Sequence, residues 1–166
     1  RYANVFGSKG SVVPLFLRRR DTGSLPITNP EMTRFSITMA DAIDLVCFAI
    51  REGWGGEVIL PIAPSYRLGD VAEAIAPEAE QQIIGERPGE KIHELLFSHF
   101  DAPRTLQRDR YYVITPEAGR YSTADYAKRT GAQPVDSSRT YSSGTNDRWL
   151  SVAELRALIA SETIQF

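Results

Sequence analysis

The segment Arg87-Pro88-Gly89-Glu90 combines residue types that could bind an anionic ligand with hydroxyl groups. Pro88 and Gly89 favour a tight turn, which would place Arg87 and Glu90 on one side of the chain. A guanidinium there can bind a phosphate, and a carboxylate three residues later can accept hydrogen bonds from two vicinal hydroxyls, as on a ribose. A nucleotide would need such a pair of groups. A solvated turn with a surface Arg/Glu pair is the alternative that these residues leave open.

A second candidate is Asn4, a polar residue in the strand-like run 1–6, directly before the small-residue loop 7–11. Its position is compatible with ligand binding and equally with capping of a turn.

The common catalytic and cofactor motifs are absent from the sequence. It contains no G-x-G-x-x-G or P-loop, no Tyr followed four residues later by Lys, and no serine in a nucleophile elbow. His93 and His99 have no cysteine or carboxylate at zinc spacing, so no metal site is expected. The single cysteine, Cys47, lies in an apolar run, and we expect a buried structural thiol. Taken alone, the chain shows no catalytic residue.

Composition and charge are those of an ordinary globular protein. The chain has 166 residues, 42% of them hydrophobic and 24% charged, with a formal net charge of −2. This charge argues against a nucleic-acid partner. No apolar run approaches the roughly 18 residues of a membrane span, so we expect a cytoplasmic protein. Of the 19 basic residues, 16 are arginine. This bias reflects either a compositional habit or phosphate recognition at one or two arginines.

Strands and helices alternate along the chain, which predicts an α/β fold. Strands are expected at 1–6, 25–28, 57–61, 82–84 and 111–114. Helices are expected at 12–20, from a Thr38/Asp41 capping box to Gly53, at 69–76, after the Arg87–Glu90 turn as far as Leu96, and at 151–160, where Ser151 and Glu154 form a capping box. We expect three parts: a substrate-binding part with the last Rossmann-type strand at 1–100, an irregular arm at 101–147 and a C-terminal helix at 148–166.

Four blocks of sequence resemble, in order, the C-terminal half of inverting UDP-N-acetylglucosamine 4,6-dehydratases. They are Arg1–Phe16, Leu25–Phe35, Gly56–Pro61 and Ile83–Glu94, and the stretches Tyr141–Asn146 and Trp149–Val152 extend the match. Those enzymes are extended short-chain dehydrogenase/reductases that begin bacterial pseudaminic acid synthesis. The resemblance implies the end of a Rossmann sheet followed by a small α/β substrate-binding domain.

The resemblance also implies roles for individual residues. Asn4 matches an asparagine that contacts the sugar nucleotide, and Arg87 and Glu90 match residues that bind its diphosphate and ribose. The expected substrate-binding residues are Asn4, Val12, Thr28, Arg34, Arg67, Arg87 and Glu90. The expected cofactor-binding residues, which match a loop along the nicotinamide end of NADP, are Val5, Phe6, Gly7, Ser8 and Lys9.

The family's reaction oxidises the C4 hydroxyl of UDP-N-acetylglucosamine with NADP, eliminates water across C5 and C6, and returns the hydride to C6 with inversion at C5. The family's catalytic Asp-Lys and Tyr-x-x-x-Lys pairs precede the matching segment, so this chain is expected to supply the substrate half of a lyase active site. The resemblance also implies a homo-oligomer. The alternatives are a nucleotide-sugar epimerase, a retaining dehydratase, a capsule-type dehydratase/5-epimerase, and a non-catalytic nucleotide-sugar-binding module.

Overall fold

The computed structural model describes residues 1–162 and 164. Strands pair in both parallel and antiparallel fashion and helices lie between them, which confirms the mixed α/β class. In chain order the elements are α1 (Val12–Arg19), β1 (Ser24–Ile27), β2 (Thr33–Phe35), α2 (Met39–Glu52), β3 (Val58–Pro61), β4 (Ser65–Arg67), α3 (Leu68–Ile75), β5 (Glu80–Ile83), β6 (Leu95–Phe97), β7 (Thr105–Arg108), β8 (Tyr111–Ile114), α4 (Thr123–Thr130), β9 (Gln133–Pro134), β10 (Tyr141–Ser142) and α5 (Val152–Ser161).

The chain divides into two compact units, each built from three separate stretches of sequence. Unit 1 comprises Arg1–Ala3, Met39–Ile62 and Leu95–Ser142. Unit 2 comprises Asn4–Thr38, Ala63–Glu94 and the chain from Ser143 onward. This division differs from the three consecutive parts expected from the sequence. No helix among the described residues is both long and apolar enough to cross a membrane.

Unit 1 is organised around a four-stranded antiparallel sheet of order β3-β8-β7-β9. Helices α2 and α4 pack on this sheet, and β6 and β10 form a separate antiparallel pair. The strand β8 is buried along its whole length, as a central strand with apolar residues on both faces must be. The core of the sheet and the two helices contains Leu45, Phe48, Ile59, Leu106, Tyr111, Val113, Tyr126 and Ala132.

Helix α2 buries a narrower face than its apolar sequence predicts. Its buried residues are Ala42, Leu45 and Phe48, which are spaced three apart and so form one stripe. A second apolar stripe faces solvent, with Ile43 56% and Ile50 77% exposed. Cys47 is exposed as well. The expectation of a buried structural thiol is therefore wrong, because the wide apolar face extends beyond the stripe that unit 1 covers.

The segment 101–147 contains regular structure, so its description as an irregular arm is wrong. It holds β7 to β10 and the helix α4. A capping box of Ser122 and Asp125 begins this helix, and Gly131 ends it at a φ of 74°. The helix buries only Tyr126. One buried residue in eight gives no apolar periodicity, which is why the sequence pattern does not predict the helix.

Unit 2 contains the parallel pair β1–β5 and the antiparallel pair β2–β4. The helices α1 and α3 pack on these strands, and α5 packs on α3. Capping by Ser151 and Glu154 at the start of α5 is confirmed. The apolar core of this unit includes Phe6, Val13, Phe16, Leu25, Ile27, Met32, Tyr66, Leu68, Val71, Ala72, Leu150 and Leu155.

Two local expectations for unit 2 are wrong. No helix follows the Arg87–Glu90 turn, because the backbone there bonds to distant residues: the Thr33 amide donates to the Ile92 carbonyl oxygen at 2.8 Å. The strand expected at 1–6 is reduced to a single parallel bridge between Val5 and Ile37.

Candidate functional site

Residues 87–90 form the tight turn that the sequence predicts. The φ of Gly89 is 87°, the left-handed conformation that the third position of a type II turn requires and that glycine adopts readily. The Glu90 amide donates to the Arg87 carbonyl oxygen at 3.0 Å, and the Arg87 amide donates to Glu90 Oε2 at 2.9 Å. Both residues are exposed. Among the described residues, no carboxylate forms an ion pair with the Arg87 guanidinium.

The turn follows the carboxyl end of β5, and Thr28 follows the carboxyl end of the parallel strand β1. Beyond the paired residues, the Ile84 amide donates to the Ile27 carbonyl oxygen at 2.9 Å. Asn29 Nδ2 donates to Glu86 Oε1 at 2.8 Å, which joins the two loops directly. In α/β folds, ligands bind beyond the carboxyl ends of strands. Thr28 and the turn therefore share the edge of unit 2 where a ligand is expected.

Helix α1 brings Val12 to the same end of unit 2. The chain reverses between α1 and β1 at Gly23, whose φ is 74°, and Thr22 Oγ1 donates to the Arg19 carbonyl oxygen at 2.8 Å within this reversal. Because α1 packs on β1, its first residue returns to the end where Thr28 lies. Val12 is half-buried against the core.

Asn4 has an exposed side chain on a fixed backbone. Its carbonyl oxygen accepts a hydrogen bond from the Ile37 amide at 3.0 Å, and the following residue forms the bridge to Ile37. The Asn4 side chain makes no hydrogen bond to the described residues. The geometry therefore gives no support to the turn-capping alternative.

The loop Val5–Lys9 is only partly accessible. Phe6 is 5% exposed, and its ring packs edge-on against Tyr66 with the centroids 6.2 Å apart. Gly7 is also buried, with a φ of 70° that favours glycine. Ser8 is half-buried and Lys9 is exposed. Of the five expected cofactor contacts, only Lys9 is therefore exposed, and Val5 and Ser8 are half-buried.

Comparison with protein families matches residues 1–116 to the family described as polysaccharide biosynthesis protein. The chain belongs to this family. Its relatives include UDP-N-acetylglucosamine 4,6-dehydratase (inverting) of Campylobacter jejuni, 39% identical over 96% of this chain and 49% of the relative. UDP-glucose 4-epimerase of Rickettsia prowazekii is 35% identical over 96% of this chain and 48% of that protein. The chain thus spans about half the length of these curated relatives.

A solved structure has the same fold as this member of the polysaccharide biosynthesis family. Pen from Bacillus thuringiensis superposes with a TM-score of 0.80 at 28% identity, over 96% of this chain and 48% of that one. The resemblance to the C-terminal half of the inverting dehydratases, noted from the sequence blocks, is confirmed.

In this family member, the seven expected substrate-binding residues differ in their surroundings. Thr28, Arg87 and Glu90 lie at the end of unit 2 beyond β1 and β5, and Val12 is the first residue of the helix that packs on β1. Arg34 has another environment: Nη1 donates to the carbonyl oxygens of Thr33 and Ile92 at 2.7 and 3.2 Å. Its Nε lies 3.4 Å from Glu94. With these donors occupied, the geometry favours a structural role for Arg34.

Unlike the guanidinium of Arg87, that of Arg67 pairs with a carboxylate among the described residues, but it has fewer hydrogen-bond partners than that of Arg34. Its guanidinium lies 4.9 Å from the centre of the Trp149 ring, and Nε is 3.9 Å from a carboxylate oxygen of Glu31. Half of the side chain remains exposed. A single ion pair this long leaves the guanidinium able to bind a phosphate, which stays a prediction.

Sequence reasoning missed a polar cluster next to the turn. Thr33 Oγ1 lies 2.8 Å from His93 Nδ1 and 2.7 Å from Ser143 Oγ. Thr33 and Ser143 are buried. The only sequence signal was that His93 and Ser143 belong to separate blocks of the family resemblance.

Buried Tyr66 is a poor candidate for a catalytic base. Burial raises the pKa of Tyr66 to about 12, with Arg34 opposing and Glu94 supporting the increase. The phenol is therefore neutral at physiological pH. Within the part of the chain that the structure describes, no group of three or more His, Cys, Asp or Glu residues could hold a metal ion.

Proposed function

We propose that this chain forms the nucleotide-sugar-binding half of an enzyme that dehydrates UDP-N-acetylglucosamine with inversion at C5. The observation that carries the proposal is the exposed Arg87–Glu90 turn beside Thr28, at the carboxyl ends of two parallel strands. The 39% identity to inverting dehydratases across 96% of the chain favours this substrate.

The turn offers complementary groups to a nucleoside diphosphate. The Arg87 guanidinium can donate several hydrogen bonds to phosphate oxygens. Glu90 uses Oε2 to accept the Arg87 amide, which leaves Oε1 for a ribose hydroxyl. Thr28 and Val12, at the same end of unit 2, are placed to contact the nucleotide portion, and the exposed Asn4 amide to contact the sugar nucleotide.

The proposed enzyme would use NADP, which supplies reversible oxidation at C4 of the sugar when bound. The residues of this chain fit only the edge of such a site. Lys9 is exposed and Ser8 half-buried, whereas Phe6 and Gly7 belong to the core. The sequence also lacks a glycine-rich dinucleotide loop and a Tyr-x-x-x-Lys pair. The chain's own proposed contribution is therefore to bind and orient the UDP-sugar, while proton and hydride transfer depend on residues outside it.

The test uses the complete enzyme that the proposal requires, in which this chain follows a cofactor-binding half. Incubation with UDP-N-acetylglucosamine is expected to give a 4-keto-6-deoxy product with inverted C5, identified by NMR. Arg87→Ala is expected to raise KM, and Arg19→Ala, at the opposite end of α1, serves as the matched control. A product with retained C5, or equal KM values for wild type and Arg87→Ala, would contradict the proposal.

The second candidate is a 4-epimerase acting on a UDP-hexose. It is favoured by the 35% identity to UDP-glucose 4-epimerase of Rickettsia prowazekii. The two reactions differ in mass balance, because dehydration loses one water and epimerisation loses nothing. Mass spectrometry of the product from UDP-N-acetylglucosamine and from UDP-glucose distinguishes them.

A further inference from the structure

Both ends of the Arg87–Glu90 turn are anchored, but by different means. The preceding end continues from β5, where Ile84 bonds to the end of β1. The C-terminal side of the turn, residues 92–94, forms hydrogen bonds with side-chain and backbone groups that are distant in sequence. Between the two anchors the chain is exposed. Asn29 also bonds to Glu86 on the preceding side, so the orientation of Arg87 and Glu90 depends on both anchors, of which residues 92–94 form the second.

Residues 92–94 are fixed between β2 and Ser143. On one side the Thr33 amide donates to the Ile92 carbonyl oxygen at 2.8 Å. On the other side the Glu94 amide donates to Ser143 Oγ at 2.8 Å, and the Ser143 amide donates to the Glu94 carbonyl oxygen at 2.9 Å. The Ser143 hydroxyl donates to the Thr33 carbonyl oxygen at 3.1 Å. Two buried hydroxyls thus join the end of the turn to β2.

The side chain of His93 joins this network directly. Its Nδ1 lies 2.8 Å from Thr33 Oγ1, at hydrogen-bond distance. The ring also lies against Gly144, where an added Cβ would approach Cγ and Nδ1 of His93 to 2.6 Å. Any larger residue at 144 would displace the ring. One side of the imidazole is therefore fixed by a hydrogen bond to Thr33. The other side lies so close to Gly144 that only a residue without a side chain fits there.

We propose that His93 is a positioning residue, which through Thr33 and Gly144 fixes the orientation in which the turn presents Arg87 and Glu90 to the ligand. The identity of that ligand as a UDP-sugar rests on the proposed function. The positioning itself is a property of the unliganded chain.

The first test measures the turn without ligand, by NMR order parameters of the Gly89 and Glu90 amides. His93→Ala is expected to lower these order parameters while the amides of β1 and α3 keep theirs. His93→Asn, whose amide can replace Nδ1 toward Thr33, is expected to restore them. Gly144→Ala is expected to act like His93→Ala, and His99→Ala is the matched control at the only other histidine. Unchanged order at the turn in His93→Ala, or an equal loss throughout unit 2, would overturn the proposal.

The second test measures UDP affinity by calorimetry in the complete enzyme. Loss of the His93 hydrogen bond is expected to weaken binding by on the order of tenfold, with recovery in His93→Asn. If His93 acts through the turn, His93→Ala weakens UDP binding less in the Arg87→Ala background than in the wild type, because only the positioning of Glu90 remains to be lost. Additive losses would overturn the positioning role. A wild-type enzyme that does not bind UDP would overturn the proposed function instead, while the order parameters would still decide the role of His93.

Discussion

Arg87 and Glu90 differ in how many of their side-chain hydrogen-bonding groups are already used within the turn. One oxygen of Glu90 already accepts the Arg87 amide. The Arg87 guanidinium makes no ion pair with the described carboxylates, so its five N–H donors are available to a ligand. At the scale of single residues, Arg87 is therefore expected to contribute more to ligand binding than Glu90.

Arg87→Ala is expected to weaken UDP binding to the complete enzyme by about 1.5–3 kcal/mol, the usual contribution of a hydrogen bond to a charged group. Calorimetric titration with UDP measures the loss. Arg19→Ala removes the same charge at the other end of α1 and is expected to bind UDP as the wild type does. Equal affinities for Arg87→Ala and wild type would exclude the phosphate-binding role.

A second residue-scale prediction concerns Tyr121 and Glu57 in unit 1, whose hydroxyl and carboxylate oxygens lie 2.7 Å apart. Partial burial opposes ionisation of Glu57, but hydrogen bonds from Tyr121 and from backbone amides outweigh it and lower the pKa of Glu57. Burial and the bond to Glu57 raise the pKa of Tyr121. The pair is therefore most stabilising when Glu57 is ionised and Tyr121 is neutral.

Tyr121→Phe is expected to lower the free energy of unfolding by about 1 kcal/mol at neutral pH. Stability from the lowered pKa of Glu57 is complete above its ordinary value of 4.5 and is lost as the pH falls through the lowered value. Stability from Tyr121 is complete below its ordinary value of 10.0 and is lost as the pH rises through the raised one. Urea unfolding across this range, with the exposed Tyr2→Phe as control, should show the difference shrinking at both extremes. A difference independent of pH would contradict this account.

At the scale of elements, α4 combines a small buried face with a side-chain cap at its start. It buries one residue in eight and begins with a capping box. Ser122→Ala is expected to destabilise unit 1 by about 1 kcal/mol, because an amide of the first turn loses its acceptor. Urea unfolding measures this loss, and Ser137→Ala, on an exposed loop serine, is the control. Equal midpoints for the two variants would show that the cap contributes nothing.

Elements with local signals were predictable from the sequence. The spacing of apolar residues and the Ser151/Glu154 cap indicate α5, and Pro88-Gly89 indicates the turn. Elements that depend on contacts between distant segments could not be predicted from the sequence. The helix expected after Glu90 is replaced by a segment bonded to Thr33. The exposure of Cys47 depends on which face of α2 unit 1 covers.

The candidate site follows the same rule. Arg87 and Glu90 are the first and fourth residues of one turn, so their proximity follows from local geometry. The contact between Thr33, His93 and Ser143 joins three segments far apart in sequence, and only the fold brings them together. The environment of Arg34 likewise depends on residues distant in sequence, Ile92 and Glu94.

At the scale of the whole molecule, the 166 residues are expected to show no turnover by themselves. The chain covers about half of its relatives, and the sequence contains no Tyr-x-x-x-Lys pair or glycine-rich dinucleotide loop. Incubation with UDP-N-acetylglucosamine and NADP, followed by NMR, is expected to return unchanged substrate. The Campylobacter jejuni relative provides the positive control. Formation of a 4-keto sugar by this chain would contradict the proposed division between binding and chemistry.

The interleaving of the two units has a consequence for synthesis on the ribosome. Strand β1 pairs with β5, whose first residue, Glu80, lies opposite Ser24. Leu25 and Ile27 are completely buried in the finished structure, yet β5, the strand with which they pair, is synthesised only after β2, β3, β4 and the helices α2 and α3. The apolar side chains of β1 must therefore stay without their partner strand until β5 has been made, and such a delay is the period in which chaperones protect slowly folding proteins.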